Sequence, residues 1–289
     1  MRVSSATVCV ALLTALISFP AQPGEGYVTE VVTISSGDIK LRALLGRPEG
    51  AGPFPAYIHN HGSMTFEQAH SAPWPSSIAK GSLPDALVRD GYVVLVLYRR
   101  GHKGSEGTTS TYSENMISGG NRDRIATDIM RGAEEEAEDV IAALEYLRRL
   151  SYVDQDRVAV GGHSLGGLVS VMAASRDRRF AALITMAGGI RWERQGGFDT
   201  ARPLVQGVWK DAARQLRIPV LILWSANDTS LNEIVGRELE MELRRAGKSV
   251  EMKVYPPFQQ NGHFLFNRAE GYPIFAPDVV RFLDSHLQR

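Results

Sequence analysis

The chain has 289 residues, 44% hydrophobic and 22% charged, and its 32 Lys plus Arg balance 32 Asp plus Glu to a formal charge of zero. That balance excludes the basic excess of a nucleic-acid-binding protein and the sparse hydrophobicity with high net charge of a disordered one. The one cysteine, Cys9, excludes an intrachain disulfide and any paired-cysteine metal or redox site.

Arg2 followed by an apolar run over 8–19 has the charge-then-apolar pattern of a secretory signal peptide. The run is shorter than the ~20 residues a membrane span needs. The expectation is a signal peptide over 1–24 and a single α/β domain over 25–289, secreted or periplasmic, with no stable membrane insertion. A buried N-terminal helix and a retained anchor are the alternatives. Removal of this segment would leave a mature chain without cysteine.

Two β-branched stretches, 27–34 and 39–45, flank Ser36-Gly37-Asp38 and predict a β-hairpin. A strand follows over 56–59, then a helix over 76–90 that Gly91 stops. The unbroken apolar run 92–98 predicts a parallel strand covered on both faces. Residues 127–150 predict an amphipathic helix with Glu134, Glu135 and Glu136 early and Arg148 and Arg149 late, as the helix dipole favours. Strands over 157–161, 180–186, 218–224 and 250–255 alternate with helices over 165–175, 231–246 and 277–288. The alternation implies βαβ units and a mostly parallel sheet of about eight strands flanked by helices, with the antiparallel hairpin at one edge.

Gly162-His163-Ser164-Leu165-Gly166 matches G-x-S-x-G and lies between a predicted strand and a predicted helix. A sharp turn there leaves the serine in a strained conformation, and the flanking glycines remove Cβ atoms that would clash. Ser164 would project beside a helix N-terminus, where the Leu165 N–H is a natural oxyanion donor. A chance glycine-rich turn is the alternative.

With this motif in this context, the chain over about 27–288 resembles the α/β-hydrolase superfamily, in particular its dienelactone-hydrolase-like and prolyl-oligopeptidase-like serine hydrolases. The resemblance implies the α/β-hydrolase fold and the chain order Ser, acid, His. Asp228, in the loop after strand 218–224, then matches the acid; otherwise it is a helix N-cap before Leu231. His263, in Asn261-Gly262-His263-Phe264 after the last strand, matches the base; otherwise it is a surface-loop histidine. Asn227-Asp228-Thr229 also matches a glycosylation sequon, taken as coincidence because a glycan would crowd the site. His61-Gly62 after strand 56–59 matches the segment preceding the second oxyanion donor, which would be the N–H of Ser63 or of Met64. The Arg-Gly turn Arg99-Arg100-Gly101 matches the segment that supports this loop.

The expected roles are Ser164 as nucleophile, His263 as base and Asp228 as its orienting carboxylate. No cofactor and no metal are expected: His59, His61 and His70 fit no usual ligand spacing, and His59-Asn60-His61 is too short a string to indicate a nuclease. Trp192, Phe198 and Trp209 are candidate pocket-lining residues, with core packing as the alternative. Arg191 and Arg194 would attract an acidic substrate unless simply solvated. Two departures from the resembled branches stand out. Serine replaces the cysteine nucleophile of dienelactone hydrolases, and His-Gly-Ser stands where prolyl oligopeptidases place a tyrosine donor. The chain also has no room for the propeller of the latter, and the 188–218 stretch allows at most a small lid. The resulting expectation is a secreted serine hydrolase of small carboxylic esters, with a small peptidase or amidase as alternative and a non-catalytic binding module as a third reading.

Overall fold

The computed structural model describes residues 26–63, 78–109, 122–190 and 198–287, with backbone only for 122–126 and 198–201. The signal-peptide segment lies outside the described residues, as do Met64, His70, Arg191, Trp192 and Arg194; for Phe198 the backbone alone is described.

Eight strands form one sheet, ordered β1-β2-β4-β3-β5-β6-β7-β8. β1 (Tyr27–Ser36) and β2 (Ile39–Pro48) are the expected hairpin, closed by the pair Ser36 and Ile39 across Gly37-Asp38. β2 runs antiparallel to β4 (Val93–Tyr98), and every later pairing is parallel. The parallel set is completed by β3 (Phe54–Asn60), β5 (Val153–His163), β6 (Ala182–Met186), β7 (Val220–Ser225) and β8 (Val250–Tyr255). β6 and β7 are buried at every position, and so is β4 up to Tyr98, which explains their continuous apolar sequences.

The helices fall into two groups. α1 (Leu83–Arg89) packs on β4 and against α6 (Tyr272–Leu287). α2 (Arg122–Arg148), α3 (Leu165–Arg176) and α4 (Phe198–Gln215) pack on one another, and α4 continues onto α5 (Ile234–Arg245). After β3 the chain goes first to β4 on one side and then to β5 on the other. The carboxyl ends of β3 and β5 therefore form the switch point at which open α/β sheets hold their sites.

Several boundaries differ from expectation. α1 begins only at Leu83, because the Ser82 side chain accepts from Asp85 N–H and caps it there. α2 begins five residues earlier than expected, so Glu134–Glu136 lie in its middle rather than early in it. Residues 198–215, for which no helix was expected, form α4 despite Pro203. Pro277 lies inside α6 rather than at its start.

Candidate active site

Ser164 joins β5 to α3 with φ +57° and ψ −124°, a conformation costing a non-glycine residue on the order of 1–3 kcal/mol. Backbone bonds hold it on both sides. Its N–H donates to Met186 C=O at 2.9 Å, and its C=O accepts from Gly167 N–H at 2.9 Å and Gly189 N–H at 3.1 Å. The turn passes close to β3. A Cβ on Gly162 would stand 2.5 Å from Asn60 O, and one on Gly166 would stand 2.3 Å from His61 O. Only glycine fits at either place, which is the physical content of the G-x-S-x-G spacing.

Asp228 and His263 meet across the loops after β7 and β8. His263 Nδ1 lies 2.8 Å from Asp228 Oδ2, with both side chains buried. The carboxylate accepts, so Nδ1 carries the proton and Nε2 keeps its lone pair. The other carboxylate oxygen, Oδ1, accepts from Ser230 N–H at 2.9 Å and Leu231 N–H at 2.7 Å. Asp228 Oδ1 thus closes the turn over 228–231 and does not cap a helix, since α5 begins only at Ile234 with Glu233 as its N-cap. The His263 ring contacts the His163 ring at 4.5 Å between centroids, which brings it onto the residue beside Ser164.

Two asparagines that sequence reasoning passed over stitch these loops together. Asn261 caps the 3-10 turn Gly262–Phe266: its Oδ1 accepts from His263 N–H at 3.0 Å and from Thr229 N–H at 3.1 Å. Its Nδ2 donates to Ser230 Oγ at 2.9 Å. Asn227 reaches the other way, accepting from Phe258 N–H at 2.8 Å and donating to Gln259 C=O at 2.9 Å. That Nδ2 is also the atom a glycan on the sequon would occupy.

The opposite wall is the loop after β3. A Cβ on Gly62 would stand 3.3 Å from Ser164 Cβ, so the backbone at Gly62 passes close to the Ser164 turn. Arg99 Nη1 donates to His61 C=O at 2.8 Å, and Arg99 Nε pairs with Glu136 at 2.7 Å, both side chains wholly buried. Thr109 Oγ1 donates to the other Glu136 oxygen at 3.0 Å. The Arg-Gly turn therefore supports the loop as expected, but Glu136 does so unannounced. Burial alone would raise the Glu136 carboxyl, yet the charges of Arg99 and His102 and the bonds from Arg99 and Thr109 bring it below its usual value.

Burial dominates the histidines around this wall. His59 is lowered to about 4, by burial and then by the Arg99 charge. His61 falls well below its usual value for the same two reasons, with the neighbouring His102 adding to them. His59 and His61 are thus buried neutral rings, as is His163. No group of three or more His, Cys, Asp or Glu that would hold a metal occurs among the described residues. Trp209 is core: it is 1% exposed and donates to Val235 C=O at 3.1 Å.

Comparison with known proteins agrees with this architecture. Residues 84–215 match the prolyl oligopeptidase family. The uncharacterized peptidase YtmA of Bacillus subtilis (strain 168) is 22% identical over 258 residues, 83% of this chain and 88% of that protein. The acetyl xylan esterase from Paenibacillus sp. R4 superposes with a TM-score of 0.66 at 16% identity, over 93% of this chain and 87% of that one. The Pyrococcus horikoshii acylaminoacyl peptidase superposes with a TM-score of 0.63 at 17% identity, over 91% of this chain but only 42% of that one. At these identities the superpositions establish the fold, which is that of the α/β-hydrolases.

Proposed function

We propose that this chain, an α/β-hydrolase-fold serine hydrolase of the type to which the prolyl oligopeptidase and dienelactone hydrolase branches belong, cleaves small carboxylic esters through an acyl-enzyme. The observation that carries this reading is the 2.8 Å bond from His263 Nδ1 to Asp228, which leaves Nε2 unprotonated beside the strained Ser164 turn.

In this mechanism the Ser164 hydroxyl attacks the ester carbonyl while His263 Nε2 takes its proton. Asp228 keeps the imidazole in the correct tautomer and stabilises the imidazolium. The N–H groups of Leu165 and Ser63 receive the developing oxyanion, each such donor being worth ~2.7–4 kcal/mol. His263 then protonates the departing alcohol oxygen. In the second half it removes a proton from water, which attacks the acyl-serine and releases the acid and Ser164. The apolar segment over 8–19 supports a secreted or periplasmic location, to be tested by N-terminal sequencing of the mature protein.

A second reading, hydrolysis of amides or short peptides, is favoured by the similarity of 84–215 to a peptidase family. Initial rates on p-nitrophenyl acetate and p-nitroacetanilide, which share one acyl group, separate the two. The ester reading expects turnover of the ester alone or far faster. Comparable or preferred amide cleavage supports the second reading. Absence of both activities, together with no labelling by a fluorophosphonate, contradicts hydrolysis altogether.

A further inference from the structure

We propose that His163, the residue before the nucleophile, is a positioning residue that holds the face of the His263 ring and shares in stabilising the positive charge His263 takes up during turnover. The inference rests on the hydrolytic reading above and adds a residue to it.

The geometry is specific. The two rings meet at 4.5 Å between centroids and 47° between planes, at the close end of the range for paired rings. Asp228 fixes the Nδ1 edge of His263, and an edge bond alone leaves the ring free to swing about it. His163 supplies the contact from the side. It is itself wedged in place: a Cβ on Gly62 would stand 3.3 Å from its Nδ1, and Phe266 lies 6.0 Å from its ring.

His163 is also an expensive choice for a packing residue. It is 5% exposed, and its Nε2 is buried without a hydrogen-bond partner among the described residues. An orphaned buried nitrogen costs about 1–3 kcal/mol, which an apolar side chain of similar volume would avoid. Unfavourable groups retained beside reacting atoms are where structure has been traded for function. The benefit available here is electrostatic: a neutral ring against an imidazolium, in a desolvated site, favours the charged partner.

The surroundings keep His163 in the neutral role. Burial holds it well below its usual value, the His263 charge adds to this, the His263 carbonyl opposes it, and His59 on β3 lowers it further. The groups around the pair are Asp228 from the loop after β7, His59 from β3, and the uncharged Phe264 and Phe266 beside His263. Only one of the two imidazoles then carries the transferred proton, and it is the one bonded to Asp228.

The test compares His163→Leu, which removes the ring, with His163→Phe, which keeps a ring and removes only the nitrogens. Three quantities are read: thermal stability, the pH profile of kcat/KM on p-nitrophenyl acetate, and the His263 ring titration by NMR. The Leu variant is expected to be at least as stable as wild type, with kcat lower by about tenfold, KM unchanged and the His263 titration moved to lower pH. The Phe variant is expected to recover most of both losses. His163→Met serves in place of Leu if the branched side chain disturbs folding. Wild-type kcat and an unmoved His263 titration in the Leu or Met variant overturn the proposal, as does a Phe variant no better than Leu. The NMR arm needs no turnover. If wild type fails to react with a fluorophosphonate, the hydrolytic reading fails, while the His263 titrations still decide the ring contact.

Discussion

The two walls of the site are held by different chemistry. The oxyanion wall rests on charge: the wholly buried Arg99–Glu136 pair, with Arg99 reaching His61 C=O. The acid–base wall rests on neutral amides: Asn227 and Asn261 each bond the other's loop. A buried ion pair tolerates the loss of one partner badly, because the survivor stays desolvated and uncompensated. A set of amide bonds weakens in steps of ~1 kcal/mol. The oxyanion wall is therefore coupled to the stability of the whole domain, whereas the acid–base wall can be loosened with the fold intact.

The sharpest break of this contrast, and the largest effect expected within either wall, is Asp228→Asn. It leaves the loop bonds of Oδ1 available but favours the wrong His263 tautomer, and kcat is expected to fall about 10⁴-fold with little change in thermal stability. Steady-state kinetics beside a thermal melt checks it. Glu136→Ala is expected to do the reverse in kind, destabilising by about 3–5 kcal/mol in denaturant unfolding because Arg99 is left without its partner. The double variant Arg99→Met with Glu136→Met should recover most of that stability but not the activity, since His61 C=O loses its donor. Asn261→Ala removes three bonds at the junction of the acid and base loops. A loss of about 1–3 kcal/mol is expected, with kcat reduced more than KM is raised.

The smallest effect is a slope. His59 is neutral when folded, lowered to about 4 by burial and by the Arg99 charge, while unfolded histidine titrates near 6.5. Between those values the unfolded chain binds the extra proton, so stability falls as pH drops from about 6.5 toward 4 and is flat above that window. His61 and His163 act in the same direction. His59→Asn should reduce the slope of unfolding free energy against pH by about 1.4 kcal/mol per pH unit inside the window and leave it unchanged at pH 8.

What could be read from the sequence follows the same division. β4 and β7 were legible because burial on both faces writes a continuous apolar run. The serine turn was legible because its close approach to β3 admits only glycine at 162 and 166. Glu136 was not, because it was read with Glu134 and Glu135 as an early acid favoured by the helix dipole; in α2 it shares an inward face with Ala133, Ala137 and Val140. That spacing was the available signal. α4 was hidden by Pro203 and Gly207, although Val205, Trp209, Ala212 and Leu216 already kept a helical period. Asn227 and Asn261 act across 31 or 32 residues of sequence through side-chain amides, and no local pattern announces such bonds; the position of Asn261 before the 3-10 turn was the available cue.

The measurement that tests the central claim most directly is hydrolysis of p-nitrophenyl acetate by wild type and by Ser164→Ala, with fluorophosphonate labelling of both. Wild type should turn over and label at Ser164. The variant should not label, and its kcat should fall on the order of 10⁶-fold. Equal rates in the two proteins, or labelling that persists without the serine hydroxyl, would contradict the assignment of Ser164 as the nucleophile.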